Sequence, residues 1–265
     1  MNKLISAHKR IYPFFLQSFK GKVNKKLFFL HIPKCGGTAI DIAMRNSYGL
    51  YNNLRAKSLF QLNQNALLKA SSIYDEPIED YKQKLLLYYL SNSDCKYISG
   101  HFRYSERAME EFGNHCQFIT ILRSPVSQWF SLYFFNRYKQ SPRFKLHEDL
   151  ESFIESEAAL HLGSSYVYKL TDNISWNEAS SEKAIEQAIE NLNKFALVGI
   201  LEKMDSFIKD YETLFGGRLL IQKYNQNPLS KSQQKEPNTE EIKNKVKEIC
   251  QPNLRVYESI VRKIK

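Results

Sequence analysis

A chain of 265 residues with 43% hydrophobic content can bury one good core, and a single domain accounts for the length. The formal charge of +10 is uneven: residues 1–26 hold seven Lys or Arg and no acid, which leaves +3 for the rest and, with no aromatic-basic recognition motif, argues against a nucleic-acid partner. No apolar run approaches the roughly twenty residues that a bilayer crossing needs, and Cys35, Cys95, Cys116 and Cys250 form neither a Cys-x-x-Cys pair nor a His/Cys cluster, so free thiols and no metal are expected.

In chain order, a basic N-terminal arm over residues 1–26 precedes one domain over residues 27–265. Ile11, Phe14, Phe15, Leu16 and Phe19 interleave with the cations of the arm, a pattern suited to an anionic membrane surface or to packing on the domain itself. Residues 27–32 read as a strand that Pro33 stops. Lys34, Cys35, Gly36, Gly37 and Thr38 then outline an anion cradle. The glycines let main-chain N–H groups approach a ligand, Thr38 stands at a helix start where the dipole is positive, and Lys34 adds a full charge. Phosphate or sulfate suits these groups; the plainer reading is a strand-to-helix turn with a solvated lysine. The nucleotide triphosphatase loop is not met, because its lysine follows the glycines. The cysteine-phosphatase spacing fails too, since Asp41 stands where arginine is needed.

Helices are expected over residues 78–90 and 104–112. Between them, residues 96–102 read as a short strand ending in Gly100 and His101. Residues 117–122 form a second apolar strand that ends in a cation, Arg123, and Pro125 suits the first position of a helix over 125–138. Ser127 and Ser131, four apart, share a face of that helix. Because ligands collect at the carboxyl ends of strands in open α/β sheets, both turns are expected to face one crevice. Residues 139–178 look polar and irregular apart from a helix near 148–158, and acceptor contacts are expected there. Ala184, Ile185, Ala188, Ile189 and Leu192 form a core stripe at helical spacing leading into a strand over 195–200. Glu202 opens another helix, and residues 218–224 return as a strand. After a loop over 225–232 that holds Ser230 and Lys231, Asn238 is the expected cap of the next helix, with Glu241 as its capping-box partner. Pro252 separates two terminal helices.

These motifs resemble the sulfotransferases that use 3′-phosphoadenosine 5′-phosphosulfate, and among them the heparan-sulfate 2-O/6-O and related carbohydrate enzymes. The resemblance spans most of the chain. Lys34 to Thr38, within His-Ile-Pro-Lys-Cys-Gly-Gly-Thr and running on to Ala39, is similar to that family's 5′-phosphosulfate loop; Cys35 stands where many members have threonine. Arg123 and Ser131 match its 3′-phosphate motif, and the Gly-His segment at His101 is similar to the one carrying its catalytic base. The resemblance implies a single α/β domain with a central, mainly parallel sheet flanked by helices, the P-loop-kinase-like sulfotransferase fold. It further implies sulfuryl transfer to an acceptor hydroxyl, most simply on a glycan, with Lys34 and His101 catalytic and the nucleotide donor as the only cofactor. In that family a loop at this place closes over the donor, so the resemblance implies contact of Ser230 or Lys231 in the 225–232 loop with the 3′-phosphate; a surface linker is the equal alternative. The Golgi relatives carry membrane anchors and this chain shows none, which implies a bacterial, cytoplasmic enzyme; its basic arm is expected to pack on the domain or be solvated, with peripheral contact to the inner membrane as the alternative. A kinase of similar architecture and a non-catalytic nucleotide or glycan binder remain as alternatives at this stage, because fold does not determine function.

Overall fold

The structure is a computed structural model that describes residues 23–49, 58–221 and 239–264. The expected loop at 225–232, with Ser230 and Lys231, lies outside the described residues, as does the arm up to residue 22.

Five strands form one sheet: β1 (Lys26–Leu30), β2 (Leu59–Gln61), β3 (Tyr97–Gly100), β4 (Cys116–Leu122) and β5 (Leu197–Ile200). They run in the order β2-β3-β1-β4-β5, and every neighbouring pair is parallel. Leu27, Phe28, Phe29 and Leu30 of β1 are wholly buried, as expected for a central strand covered on both faces. The crossovers carry helices α1 (Gly37–Ser47), α2 (Gln64–Ile73), α3 (Ile78–Ser91), α4 (Glu106–Phe112) and α5 (Pro125–Tyr138). After these come α6 (Leu150–Ile154), α7 (Glu157–Gly163), α8 (Ser165–Leu170), α9 (Glu182–Asn193), α10 (Met204–Phe215), α11 (Glu240–Ile249) and α12 (Gln251–Val261). The α/β class and the parallel sheet flanked by helices are those expected.

Several local expectations are corrected. Residues 139–149 are irregular as expected, but in place of one helix near 148–158 there are three: Asp149 and Ser156 cap α6 and α7 by accepting the N–H groups of Ser152 and Ala159, and α8 follows directly. With α11, α6 and α7 enclose a second core around Trp129 and Tyr133 of α5, while α8 packs in the main core. Short capped helices that draw stability from packing give little periodic signal. Residues 218–221, the described part of the expected 218–224 strand, join no ladder. Leu219 is instead consumed by the main core. The cap of α11 is Thr239 rather than Asn238; its hydroxyl accepts the Ile242 N–H, three residues on. β2 and α2 carry too little pattern to have been expected. Lys26, placed with the arm by its charge, opens β1, and its Nζ donates to the carbonyls of Tyr89, Leu90 and Asn92 at 3.0, 2.6 and 2.9 Å. It thus neutralises the negative end of α3.

Candidate active site

Because β1 lies between β3 and β4, the turns following these three strands are neighbours at the sheet's carboxyl edge. The turn after β1 winds tightly, with Lys34 at φ 64° and Gly36 at φ 76°. Left-handed geometry costs a non-glycine residue about 1–2 kcal/mol, so the surrounding structure holds Lys34 there. Gly36 caps α1 without a side-chain hydrogen bond, and the first turn of the helix, Gly37, Thr38 and Ala39, contains no acid. Its amides have no intrahelical partner. Gly36 and Thr38 are exposed, Ala39 half-buried.

Both cations named by the sequence stand here. Lys34 is half-buried, with Nζ 4.3 Å from the centre of the Phe135 ring. Burial and then repulsion from Arg123 hold its ammonium below the usual lysine range. Arg123 donates from Nη1 to the Lys34 carbonyl at 3.3 Å, so the two turns touch. On α5, Ser131 is half-buried and Ser127 exposed.

Cys35 turns the other way. Its side chain is wholly buried, with Sγ 3.4 Å from the Tyr166 hydroxyl, and burial pushes the thiol up to about 12. Only its backbone can serve a ligand, and the thiol is no nucleophile.

His31, at the end of the first strand, is the link between cradle and candidate base. Its ring stacks on Phe29 at 5.6 Å and lies 4.4 Å from the His101 ring. Nδ1 of His101 is 2.7 Å from the His31 carbonyl. A carbonyl only accepts, so Nδ1 carries the proton and Nε2 keeps a lone pair. Burial lowers the basicity of both rings, His31 to about 3, and both are neutral at pH 7.

The second glycine is fixed by His31. A Cβ on Gly37 would lie 2.0 Å from the ring, which Phe29 and His101 hold in place. Gly37→Ala is therefore expected to lower unfolding free energy by roughly 1–3 kcal/mol in denaturant titration. His31→Ala in the same chain should recover most of that loss. An equal penalty with and without the imidazole would show that the clash is not its cause.

Three supporting residues escaped sequence reading. Tyr166 accepts the Arg123 N–H at 3.2 Å and donates to the Arg123 carbonyl at 2.7 Å, clamping the backbone that presents the guanidinium. Gln128, wholly buried on α5, donates from Nε2 to the Pro33 carbonyl at 3.2 Å. Glu202 accepts the Ser124 N–H at 2.9 Å, so the start of α5 is occupied by the protein's own carboxylate while the start of α1 is not. Gln128 sits within the recognised helix, but nothing local marks its partner. Tyr166 and Glu202 act across 43 and 78 residues.

Fold and site together define an α/β protein with a cationic, amide-lined cradle at the carboxyl edge of a parallel sheet. No family model matches the chain, and no curated protein matches it. Among solved structures, it is similar to that of mouse sulfotransferase SULT7A1 complexed with PAP, at 14% identity and a TM-score of 0.41. The match covers 77% of this chain and 62% of that one, so the chain spans less than two thirds of that neighbour's length.

Proposed function

We propose that the protein transfers a sulfuryl group from 3′-phosphoadenosine 5′-phosphosulfate to an acceptor hydroxyl, on a carbohydrate. The observation that carries this reading is the uncapped start of α1 beside Lys34 and Arg123, with a neutral imidazole joined to the same turn through His31. Uncapped amides and two cations suit a doubly phosphorylated nucleotide, and the residues present fit that group. When bound, the donor supplies an activated sulfuryl group on a phosphate leaving group. The backbone from Lys34 to Ala39 and the Lys34 ammonium hold its 5′ end and stabilise charge developing there. Arg123, with Ser131, holds the 3′-phosphate. His101 takes the acceptor proton on Nε2 while the His31 carbonyl keeps Nδ1–H in place. Among the described residues no helix is long and apolar enough to cross a membrane. The four buried free thiols fit a reducing compartment, and we place the enzyme in the cytoplasm.

Calorimetry with 3′-phosphoadenosine 5′-phosphate (PAP) tests the donor site. Wild type should bind PAP more tightly than ATP with magnesium, and Arg123→Ala should weaken PAP roughly 10–100-fold, the worth of hydrogen bonds to a charged group. Tighter binding of ATP with magnesium would favour a kinase instead. Incubation with radiolabelled donor and a panel of glycans, lipids and peptides then identifies the acceptor; label appearing only on a non-glycan would refute the carbohydrate assignment.

A further inference from the structure

The turn that follows α5 carries a side chain that folding alone does not favour there. Phe144 is 71% exposed, belongs to neither core, and stands at φ 53°. Lys145 N–H donates to the Pro142 carbonyl at 3.2 Å and closes the turn, which puts Phe144 at its third position, where a positive φ selects glycine. Leu146 N–H donates to the Asn136 carbonyl at 3.0 Å and pins the turn to the end of the helix. A bulky apolar residue is thus held in left-handed backbone at an open tip, and strain of this kind collects at functional positions.

Cations surround that tip. The Arg143 guanidinium lies 4.7 Å and Lys139 Nζ 5.6 Å from the centre of the Phe144 ring, and Lys139 Nζ is 5.7 Å from that of Phe135, itself 49% exposed. Phe135 also receives Lys34, at 4.3 Å, so the patch runs up to the rim of the cradle. No acid occurs between Phe112 and Glu148 in the sequence. Glu148 and Asp149, the next two, accept the N–H groups of His147 and Ser152 at 3.1 and 2.8 Å. Lys139 has a neutral partner, Asn136 Oδ1 at 2.8 Å. Burial and then repulsion from Arg143 hold its ammonium below the usual lysine range, a cost that an approaching anionic surface relieves.

We propose that residues 135–145 form a membrane-docking surface, in which Phe144 and Phe135 enter the headgroup boundary of an anionic bilayer while Lys139, Arg143 and Lys145 lie among its lipid phosphates. The combination selects this partner. Cations alone serve any polyanion, and an exposed phenylalanine gains little from one, whereas a bilayer surface takes both. A tip this open cannot enclose a small molecule. Because Phe135 touches Lys34, docking brings the cradle to the membrane face. The surface is separate from the basic arm and does not depend on the sulfuryl-transfer reading.

The test is flotation of the full chain with vesicles of phosphatidylcholine alone or mixed with phosphatidylglycerol. The protein should float with the mixed vesicles only, and less so as salt rises. The Arg143→Gln, Lys145→Gln double variant should bind them roughly 25-fold more weakly, about 5-fold for each cation. Phe144→Gly should lose roughly 10-fold for the apolar side chain. Its Tm should not fall, because glycine accepts the left-handed backbone and the relieved strain offsets the looser unfolded chain. PAP affinity should be unchanged in both variants. Phe144→Trp should show a blue shift of emission on mixed vesicles beyond that of wild type, and no such shift would refute insertion of the tip. Absence of vesicle binding, or wild-type binding in both Phe144→Gly and the double variant, overturns the surface, the latter result leaving the arm as the contact. Weaker binding to soluble polyglutamate with vesicle binding untouched assigns the patch to an acidic protein and overturns the lipid assignment. Vesicle binding without PAP binding supports the surface while the sulfuryl-transfer reading fails.

Discussion

His101→Ala is expected to bind PAP with unchanged affinity and to lose sulfuryl transfer by about 10²–10⁴-fold, the usual worth of a positioned general base. The expectation follows from tautomer and burial together. Nδ1 is committed to the His31 carbonyl at 2.7 Å, which leaves Nε2 as the proton acceptor. Burial lowers the ring's basicity, so the acceptor form persists below the ordinary histidine value of 6.5. Transfer should therefore stay level from neutral pH down to about 6.5 and fall as acid protonates the ring at still lower pH. A pH–rate profile with the labelled acceptor checks this. The residual rate of His101→Ala should lose that acidic limb, and a variant that keeps the limb and the wild-type rate removes His101 from the chemistry.

Lys34→Gly is expected to reduce kcat by about 10²–10³-fold, the range seen when one preorganised charge-stabilising donor is removed. Glycine is the informative replacement. Lys34 holds φ 64°, and alanine would leave that left-handed strain in place, whereas glycine accepts it freely. Unfolding free energy should stay within about 1 kcal/mol of wild type, since the relieved strain offsets the greater chain entropy of the unfolded state. PAP affinity should fall less than kcat, because Arg123 and the amides at the start of α1 remain. Single-turnover rates separate the two effects. A loss confined to KM would place Lys34 in ground-state binding and take it out of the transition state.

Much of the scaffold was legible because its signals are local. Pro125 at the start of α5 and the stripe through Ala184, Ile185, Ala188 and Leu192 in α9 repeat within a few residues, and both elements formed as expected. The short helices between 150 and 170 were legible only in part, as one helix near 148–158. Each is too brief for a periodic pattern, and each is held by packing around Trp129 and Tyr133 or against the main core. Over 218–221, the described part of the strand expected at 218–224, no ladder formed for a related reason: an apolar run shows that residues will be buried without showing whether they pair, and Leu219 is buried outside the sheet. At the candidate site, the lysine, glycines, arginine and histidine could be read from their turns. His31 could not, since its importance lies in contacts with Gly37 and His101 that strand alternation does not predict.

By itself the sequence determined that two strand-turn-helix units end in cations, that one of them carries paired glycines, and that a histidine follows a third strand. Nearest-neighbour sterics and amphipathic period impose these features within a dozen residues. Tertiary structure alone decided that the three turns lie side by side, that Arg123 reaches the carbonyl of Lys34 across 89 residues, and which nitrogen of His101 carries its proton. It alone brought Lys82 and Lys169 to the same carboxylate oxygen of Glu79, at 2.7 and 3.5 Å. Strand order arises from the packing of the whole core, and no short stretch of chain encodes it.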